Sequence, residues 1–454
     1  MASSSFGQLG HNNMYLIKNL NQHPVNLNFP QRLYSAVWGY VAPNGREYAI
    51  LGCSDGTAFI DVTDSASISE VGFVPSTNPS SSSNNWREMK TYSHYAYIVS
   101  EVNNSGIQIV DLQYLPDSIR YLGKFTIPGH TSSHTISQSG PYLYINGGNA
   151  TFGDGTVIVD ITNPTNPVKR GGYNNDYVHD SRILNDTIWA ANIYDEKLTV
   201  ISATNKDNPT FVKSWSNLPG SGPHNCAITP DRKHILVTDE IGTAPFRLKI
   251  WNIQDLNNIT YVTAWQPTGI TQSVVHNVEI YGNYAIVAHY SAGIRVVDIS
   301  NPANPIEVAW YDTYPSNNSE NYNGCWGVYL LPSGKIIASD RQTGLYVVKT
   351  NFTITGVQGV NNQVPDGFAL NQNYPNPFNP STKISFSLPK NTFVSLKLYD
   401  ISGKELTTLV NDRRDAGNYE VTFDAAKLGL ASGVYFYSLT SDDFKETKKM
   451  ILAK

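Results

Sequence analysis

Ile158-Val-Asp-Ile-Thr-Asn-Pro164 and Val296-Val-Asp-Ile-Ser-Asn-Pro302 are near copies of one step, and their recurrence decides the fold. Weaker copies stand at Phe59-Ile-Asp-Val62, Ile109-Val-Asp-Leu112, Val200-Ile-Ser-Ala203, Ile250-Trp-Asn-Ile253 and Tyr346-Val-Val-Lys349. The seven steps lie roughly 42–51 residues apart, a period that signals a repeat architecture. Each is preceded by a second apolar run, such as Tyr48-Ala-Ile-Leu51 or Tyr284-Ala-Ile-Val287, and before that by an alternating segment that opens on Trp or His. Three strands joined by tight turns account for this pattern.

A fourth strand follows in six units, for example Val168 to Tyr173 and Ile306 to Trp310. The seventh unit has none, whereas Met14-Tyr-Leu-Ile-Lys-Asn-Leu20 has the fourth-strand pattern and no unit of its own. Pairing the two closes a ring and protects the sheet edges, which is the logic of a β-propeller. The expectation is an all-β chain: a seven-bladed β-propeller over residues 13–350, closed by an N-terminal strand. Residues 1–12 are expected to be a disordered opening or the scar of a removed leader, since no charged n-region and apolar h-region are visible there.

Composition agrees with this reading. Of 454 residues, 15% are charged and 11% aromatic, with 34 Gly and 25 Pro, as suits a chain of strands and turns. A net charge of −5 without a basic block argues against nucleic acid as a partner. No apolar window is long enough for a membrane helix. Three cysteines allow one disulfide at most. Cys53 and Cys325 fall on adjoining blades, where two buried free thiols are expected rather than a bridge.

The units resemble the LVIVD-repeat propellers, in particular the family called choice-of-anchor B. The resemblance rests on Ser35-Ala-Val-Trp-Gly39, Trp86-Arg-Glu88, Val178-His-Asp180, Pro223-His-Asn225, Val275-His-Asn277, Asn323-Gly-Cys-Trp-Gly-Val328 and the Val-Asp-Ile-Ser/Thr-Asn-Pro steps. It implies the propeller fold and brings no settled activity.

From Gly367 the texture changes. Asn373-Tyr-Pro-Asn-Pro-Phe-Asn-Pro380 cannot be helical, and alternating strands follow at Lys383 to Leu388, Val394 to Asp400, Gly417 to Phe423, Gly433 to Ser438 and Glu446 to Leu452. Residues 367–454 are read as a small Ig-like β-sandwich and 351–366 as a linker. The stretch resembles the C-terminal sorting domain of type IX (Por) secretion cargo of Bacteroidetes. The signal residues are Asn373, Tyr374, Pro375, Asn376, Pro377, Gly433, Tyr435, Lys448 and Lys449. The resemblance implies that the type IX machinery is a partner and that the protein is secreted or attached to the outer-membrane surface.

Laying the units in register puts Trp38, Trp86, His134, His179, His224, His276 and Trp326 at the start of the innermost strands, around one mouth of the channel. Tryptophan occupies three consecutive blades and histidine the other four. The ends of the second strands add Asp55, Glu101, Asp239, Glu240, His289 and Asp340. Imidazoles with nearby carboxylates form a ligand set for a divalent transition metal, with His134, His179, His224 and His276 as candidates. His179, His224, His276 and Arg87 are the catalytic candidates, and Trp38, Trp86 and Trp326 a stacking platform for a ligand. A packing role competes with this, because His224, Cys226 and Ile228 share one strand face and ring N–H groups can tie blade to blade. His130 stands four residues before His134, within a Gly- and Ser-rich loop; Arg182 is a second candidate for holding an anion. Two functions follow: binding of an extracellular glycan, protein or small ligand at the mouth, or metal-dependent or His-based hydrolysis or lysis of polysaccharide.

Overall fold

The computed structural model describes residues 10–24, 32–81, 86–148, 155–218, 221–319, 321–354, 357–361 and 365–453. The chain divides into two compact units, the second formed chiefly by residues 354–454. Most of the opening segment expected to be disordered, residues 1–9, lies outside the described residues.

In the first unit, the described residues form seven antiparallel sheets. The first blade is Tyr34–Val41, Glu47–Cys53, Gly56–Asp61 and Ser69–Pro75, and the third is Thr135–Ser139, Tyr142–Asn146, Thr156–Asp160 and Val168–Tyr173. In the seventh, Cys325–Leu330, Lys335–Asp340 and Gly344–Thr350 take Met14–Leu20 as their outer strand, with Met14 opposite Thr350 and Leu20 opposite Leu345. Met14 and Leu20 are buried there. His11–Asn12, placed by the sequence reading in the disordered opening, instead extends the sixth blade beside Ile306–Tyr311.

The repeated step has a local cause. The Asp that ends the third strand turns its carboxylate back onto the N–H two residues ahead: Asp61 to Thr63, Asp111 to Gln113, Asp160 to Thr162 and Asp298 to Ser300, at 2.8–3.0 Å. Asn252 does the same for Gln254. This Asx turn ends the strand and aims the chain toward the outer strand. All seven pairings of third and fourth strands then shift register within the ladder, as at Val157/Val159 and Leu16/Lys18. A bulge at this place adds twist to the outer strand of every blade.

Hydrogen bonds join each blade to the next around the ring. They run from Arg87 N to Ser35 Oγ, Ile136 N to Glu88, Thr135 Oγ1 to the His179 carbonyl and Asn225 Nδ2 to Asp180. His224 Nδ1 then donates to the His276 carbonyl and His276 Nδ1 to that of Trp326. Leu33 N on the Arg341 carbonyl and Glu47 on Ser333 and Lys335 close the circle. The three cysteines are free and buried.

The second unit has two four-stranded sheets. Alternate residues of both, among them Ile384, Phe386, Val394, Leu396, Tyr437 and Met450, form one apolar core. Val357–Asn361, which the sequence reading assigned to the linker, is a strand beside Gly417–Asp424. The Asn- and Pro-rich turn is fastened to the last strand: Ile451 N donates to Asn376 Oδ1, and Phe378 exchanges bonds with Ile451 and Ala453. Asn373 is buried against Thr382 and the Tyr437 hydroxyl, while Tyr374 is 80% exposed. Tyr435 donates its hydroxyl to the Ala431 carbonyl, Lys448 pairs with Glu446, and the Lys449 carbonyl accepts from Gln372.

Candidate functional site

The inner strands bring His134, His179, His224 and His276 into one contiguous row, with ring centroids 4.2, 4.5 and 4.0 Å apart, and Trp326 continues it 4.6 Å from His276. One side chain comes from each of blades three to seven. Gly147 makes room for the row, since a Cβ there would stand 2.6 Å from His134 Cβ.

Hydrogen bonds fix the ring orientation. A carbonyl only accepts, so Nδ1 of His224 and of His276 must carry the hydrogen that reaches the next blade, at 3.1 and 2.6 Å. Nδ1 ties the blades together and Nε2 faces the channel. Glu240 lies opposite these nitrogens, 3.6 Å from His224 Nε2, 3.7 Å from His276 Nε2 and 3.9 Å from His179 Nε2. The Tyr290 hydroxyl donates to Glu240 at 2.9 Å. His276 Nε2 is buried without a hydrogen-bond partner.

Burial, followed by the neighbouring imidazoles, holds His179 and His276 well below the ordinary histidine pKa, so both are neutral. At His134 burial acts the same way, but the 2.5 Å bond to Glu101 and the charges of Glu101, Glu240 and Asp180 outweigh it and raise the pKa. His134 Nε2 and His179 Nε2 stand 3.1 Å apart, within hydrogen-bonding distance. Two triads whose ligand atoms lie within 4.8 Å of one another overlap here: His134, His179 and His224, and His224, Glu240 and His276.

A cavity of about 20 Å³ is lined by His134, His224 and His276 with Trp86, Arg87, Glu88, Asp180 and Trp326. Arg87 donates Nε to the Cys53 carbonyl. Trp38 is not in this group. The bond from Ser54 N to the Leu33 carbonyl repeats that from Glu101 N to the Trp86 carbonyl, which makes Leu33 the equivalent of Trp86. Trp38 lies five residues farther along, under Lys90 at 4.0 Å and against Tyr329. Arg182 is also deeper, on Glu279 and the Cys226 and Val278 carbonyls. His130 bonds to Ser133 and takes no part.

Of the second set, Glu101 and Glu240 reach the row and the others turn away. Asp239 pairs with Lys249, His289 with Ser273, Asp55 with His23, and Asp340 accepts from the N–H groups of Gln342 and Thr343. Sequence reasoning missed Tyr290, which directly follows His289. Its φ of 23° is strained for an aromatic residue, and strain of this kind gathers at working sites. It also missed His23, which lies 2.9 Å from both Asp55 and Glu70 and stacks on Phe73.

Comparison with known proteins bears on the architecture. The LVIVD repeat matches residues 128–175 and 274–313, and the secretion system C-terminal sorting domain matches 372–453. No curated protein matches the chain. Among solved structures, Sqt1 of Chaetomium thermophilum is similar at a TM-score of 0.50 and 10% identity, over 75% of this chain and 98% of its own. That likeness is one of fold. The periplasmic gluconolactonase PpgL of Pseudomonas aeruginosa aligns at 0.49 and 11% identity, over 86% and 99% of the two chains. A putative 6-phosphogluconolactonase of Bacteroides fragilis aligns at 0.48 and 11%, over 88% and 100%. No helix among the described residues is long and apolar enough to cross a membrane. The chain is an all-β protein that carries LVIVD repeats in a propeller and a secretion system C-terminal sorting domain, which marks it for type IX export to the cell surface or the extracellular space.

Proposed function

We propose that the histidine row binds a divalent transition metal and that the exported protein is a metal-dependent hydrolase of small molecules. One observation carries the reading. The bare Nε2 of His276 faces the carboxylate of Glu240 at 3.7 Å, with His224 Nε2 3.6 Å from the same carboxylate, in a buried place where two unpaired acceptors repel one another unless a cation lies between them. Imidazole and carboxylate donors suit zinc, nickel, copper or iron. The carbonyl bonds at Nδ1 are the outer contacts that ligating histidines ordinarily make. Two Nε2 atoms on one tetrahedral zinc stand about 3.3 Å apart, close to the separation found for His134 and His179. A metal taking up His134 displaces its proton, so uptake is pH-dependent.

Held by His224, His276 and Glu240, a divalent metal would supply an activated water as nucleophile near neutral pH. Glu240 is held in place by the Tyr290 hydroxyl. The cavity has room for an ion or for one or two waters. That favours a small substrate, flanked by Trp86 and Trp326, over the polysaccharide considered from sequence.

The test is metal analysis of protein purified without a histidine tag, before and after zinc loading. About one metal per chain, lost in His224→Ala and His276→Ala variants that still fold, supports the reading. No uptake by the folded wild type above that of a chelator-treated blank refutes it.

A further inference from the structure

Arg341 follows Asp340 at the end of a second strand, as Tyr290 follows His289 and Glu240 follows Asp239. The three side chains come from consecutive blades and gather beside the histidine row. The Arg341 guanidinium lies over Trp326, 4.9 Å from the ring centre, and Trp326 is the ring that touches His276. Its Nη1 donates to the Tyr322 carbonyl at 2.7 Å, and Tyr322 packs edge-on against Tyr290. Arg341 is 3% exposed, yet Nε and Nη2 have no hydrogen-bond partner.

An arginine buried to this degree normally has its donors paired, because an unmet charged donor is costly. The two unmet atoms are also a particular pair. Nε and Nη2 form the side-on edge of the fork, whose parallel N–H groups match the two oxygens of a carboxylate. Asp340, the adjacent acid, accepts from Gln342 and Thr343 through Oδ1, and its Oδ2 makes no hydrogen bond to Arg341. Burial lowers the pKa of Arg341 and outweighs the opposing influence of Tyr290, Glu240 and Asp340, none of which hydrogen-bonds its Nε or Nη2.

We propose that Arg341 receives the carboxylate of a small substrate through its Nε–Nη2 edge, beside the metal site. The inference rests on the hydrolase reading for the word substrate. The carboxylate site itself stands on Arg341, Trp326 and Tyr290. Bound in this way, a small carboxylic acid derivative has its anchor at Arg341 and its reacting group toward Glu240 and His276.

The experiment is calorimetric titration of acetate into the full chain, both zinc-loaded and metal-stripped, for the wild type, Arg341→Lys and Arg341→Gln, with sulfate as the comparison anion. Arg341→Lys keeps the charge and loses the fork, and thermal melting reports whether each variant folds. Acetate binding to the wild type, weakened at least tenfold in a folded variant, supports the proposal. Binding unchanged in both variants, preference for sulfate over acetate, or no acetate binding by the wild type overturns it. The two readings separate cleanly. Acetate binding in a protein that takes up no metal leaves this site standing and sinks the metal centre, whereas zinc uptake without acetate binding does the reverse.

Discussion

Replacing Glu240 by Gln separates a metal centre from a packing cluster by the sign of its effect. In the metal-free protein the Glu240 carboxylate faces the bare Nε2 of His276 at 3.7 Å, lies 3.6 Å from His224 Nε2 and has the Tyr290 hydroxyl as its donor. A Gln side chain keeps an oxygen for Tyr290 and turns an N–H toward a nitrogen that lacks one. Metal-free Glu240→Gln is therefore expected to be as stable as wild type or about 1 kcal/mol more so, the net worth of one hydrogen bond. With metal the sign reverses. Two unit charges about 4 Å apart interact by roughly 4 kcal/mol at an effective dielectric constant of 20, so losing the carboxylate weakens binding by about three orders of magnitude. Urea unfolding in the presence of a chelator measures the first quantity, and zinc titration of the chelated protein measures the second. A variant about 2 kcal/mol less stable without metal, with zinc affinity unchanged, would mean that Glu240 is a structural hub of the Tyr290 corner and would refute the reasoning.

Three further predictions follow from the same coordinates. Asp55 and then Glu70 raise the pKa of His23 to about 9, above its ordinary value near 6.5. The folded state then holds the extra proton, so this clamp contributes fully below pH 6.5 and is lost as pH rises toward 9. With Asp55 43% exposed the discounted contribution is on the order of 1–2 kcal/mol, and His23→Gln should flatten that part of the stability-against-pH curve; an unchanged curve counts against the clamp. Met14→Ala, in the strand that completes the seventh blade, should cost about 2–4 kcal/mol in denaturant unfolding, and a loss under 0.5 kcal/mol would show that the strand contributes little to closure. Tyr437→Phe removes the hydroxyl that bridges Asn371 and Asn373 and should destabilise the sorting domain by about 1–3 kcal/mol, read from the melting of that domain expressed with its flanking strands.

The fold was legible because a strand reads with period two and a blade with a longer one, and both survive wide substitution. The unpaired Met14–Leu20 and the unit lacking a fourth strand indicated each other. The site was legible only in part. Strand parity gave the histidine row, because blades three to six have comparable inner strands. It failed for Trp38, since the first inner strand begins well before its Trp-Gly step and aligning that step with Trp326-Gly327 slides the register. It failed again at the second-strand ends. Asp239, His289 and Asp340 are the conspicuous residues there, but parity turns them toward the blade, and the residue after each, Glu240, Tyr290 or Arg341, reaches the channel. Glu240 was among the residues read from the sequence, and a rule of one position farther along would have found Tyr290 and Arg341 as well. His23 was missed for another reason: it lies outside the repeat, and nothing in a periodic pattern speaks for a residue that occurs once.

Met14–Leu20 precedes every other strand of the seven blades except His11–Asn12, yet it belongs to the last blade to be made. During synthesis, Met14–Leu20 must wait until Thr350 has emerged, more than three hundred residues later, before its partner exists. Six blades can form from neighbouring hairpins as they appear, but the circle, and with it the junction from Arg341 to Leu33, stays open until then. Assembly of the channel mouth is accordingly a terminal event, and a chain cut short anywhere in the repeats would have its histidines without the seventh blade that holds Trp326 and Arg341 beside them.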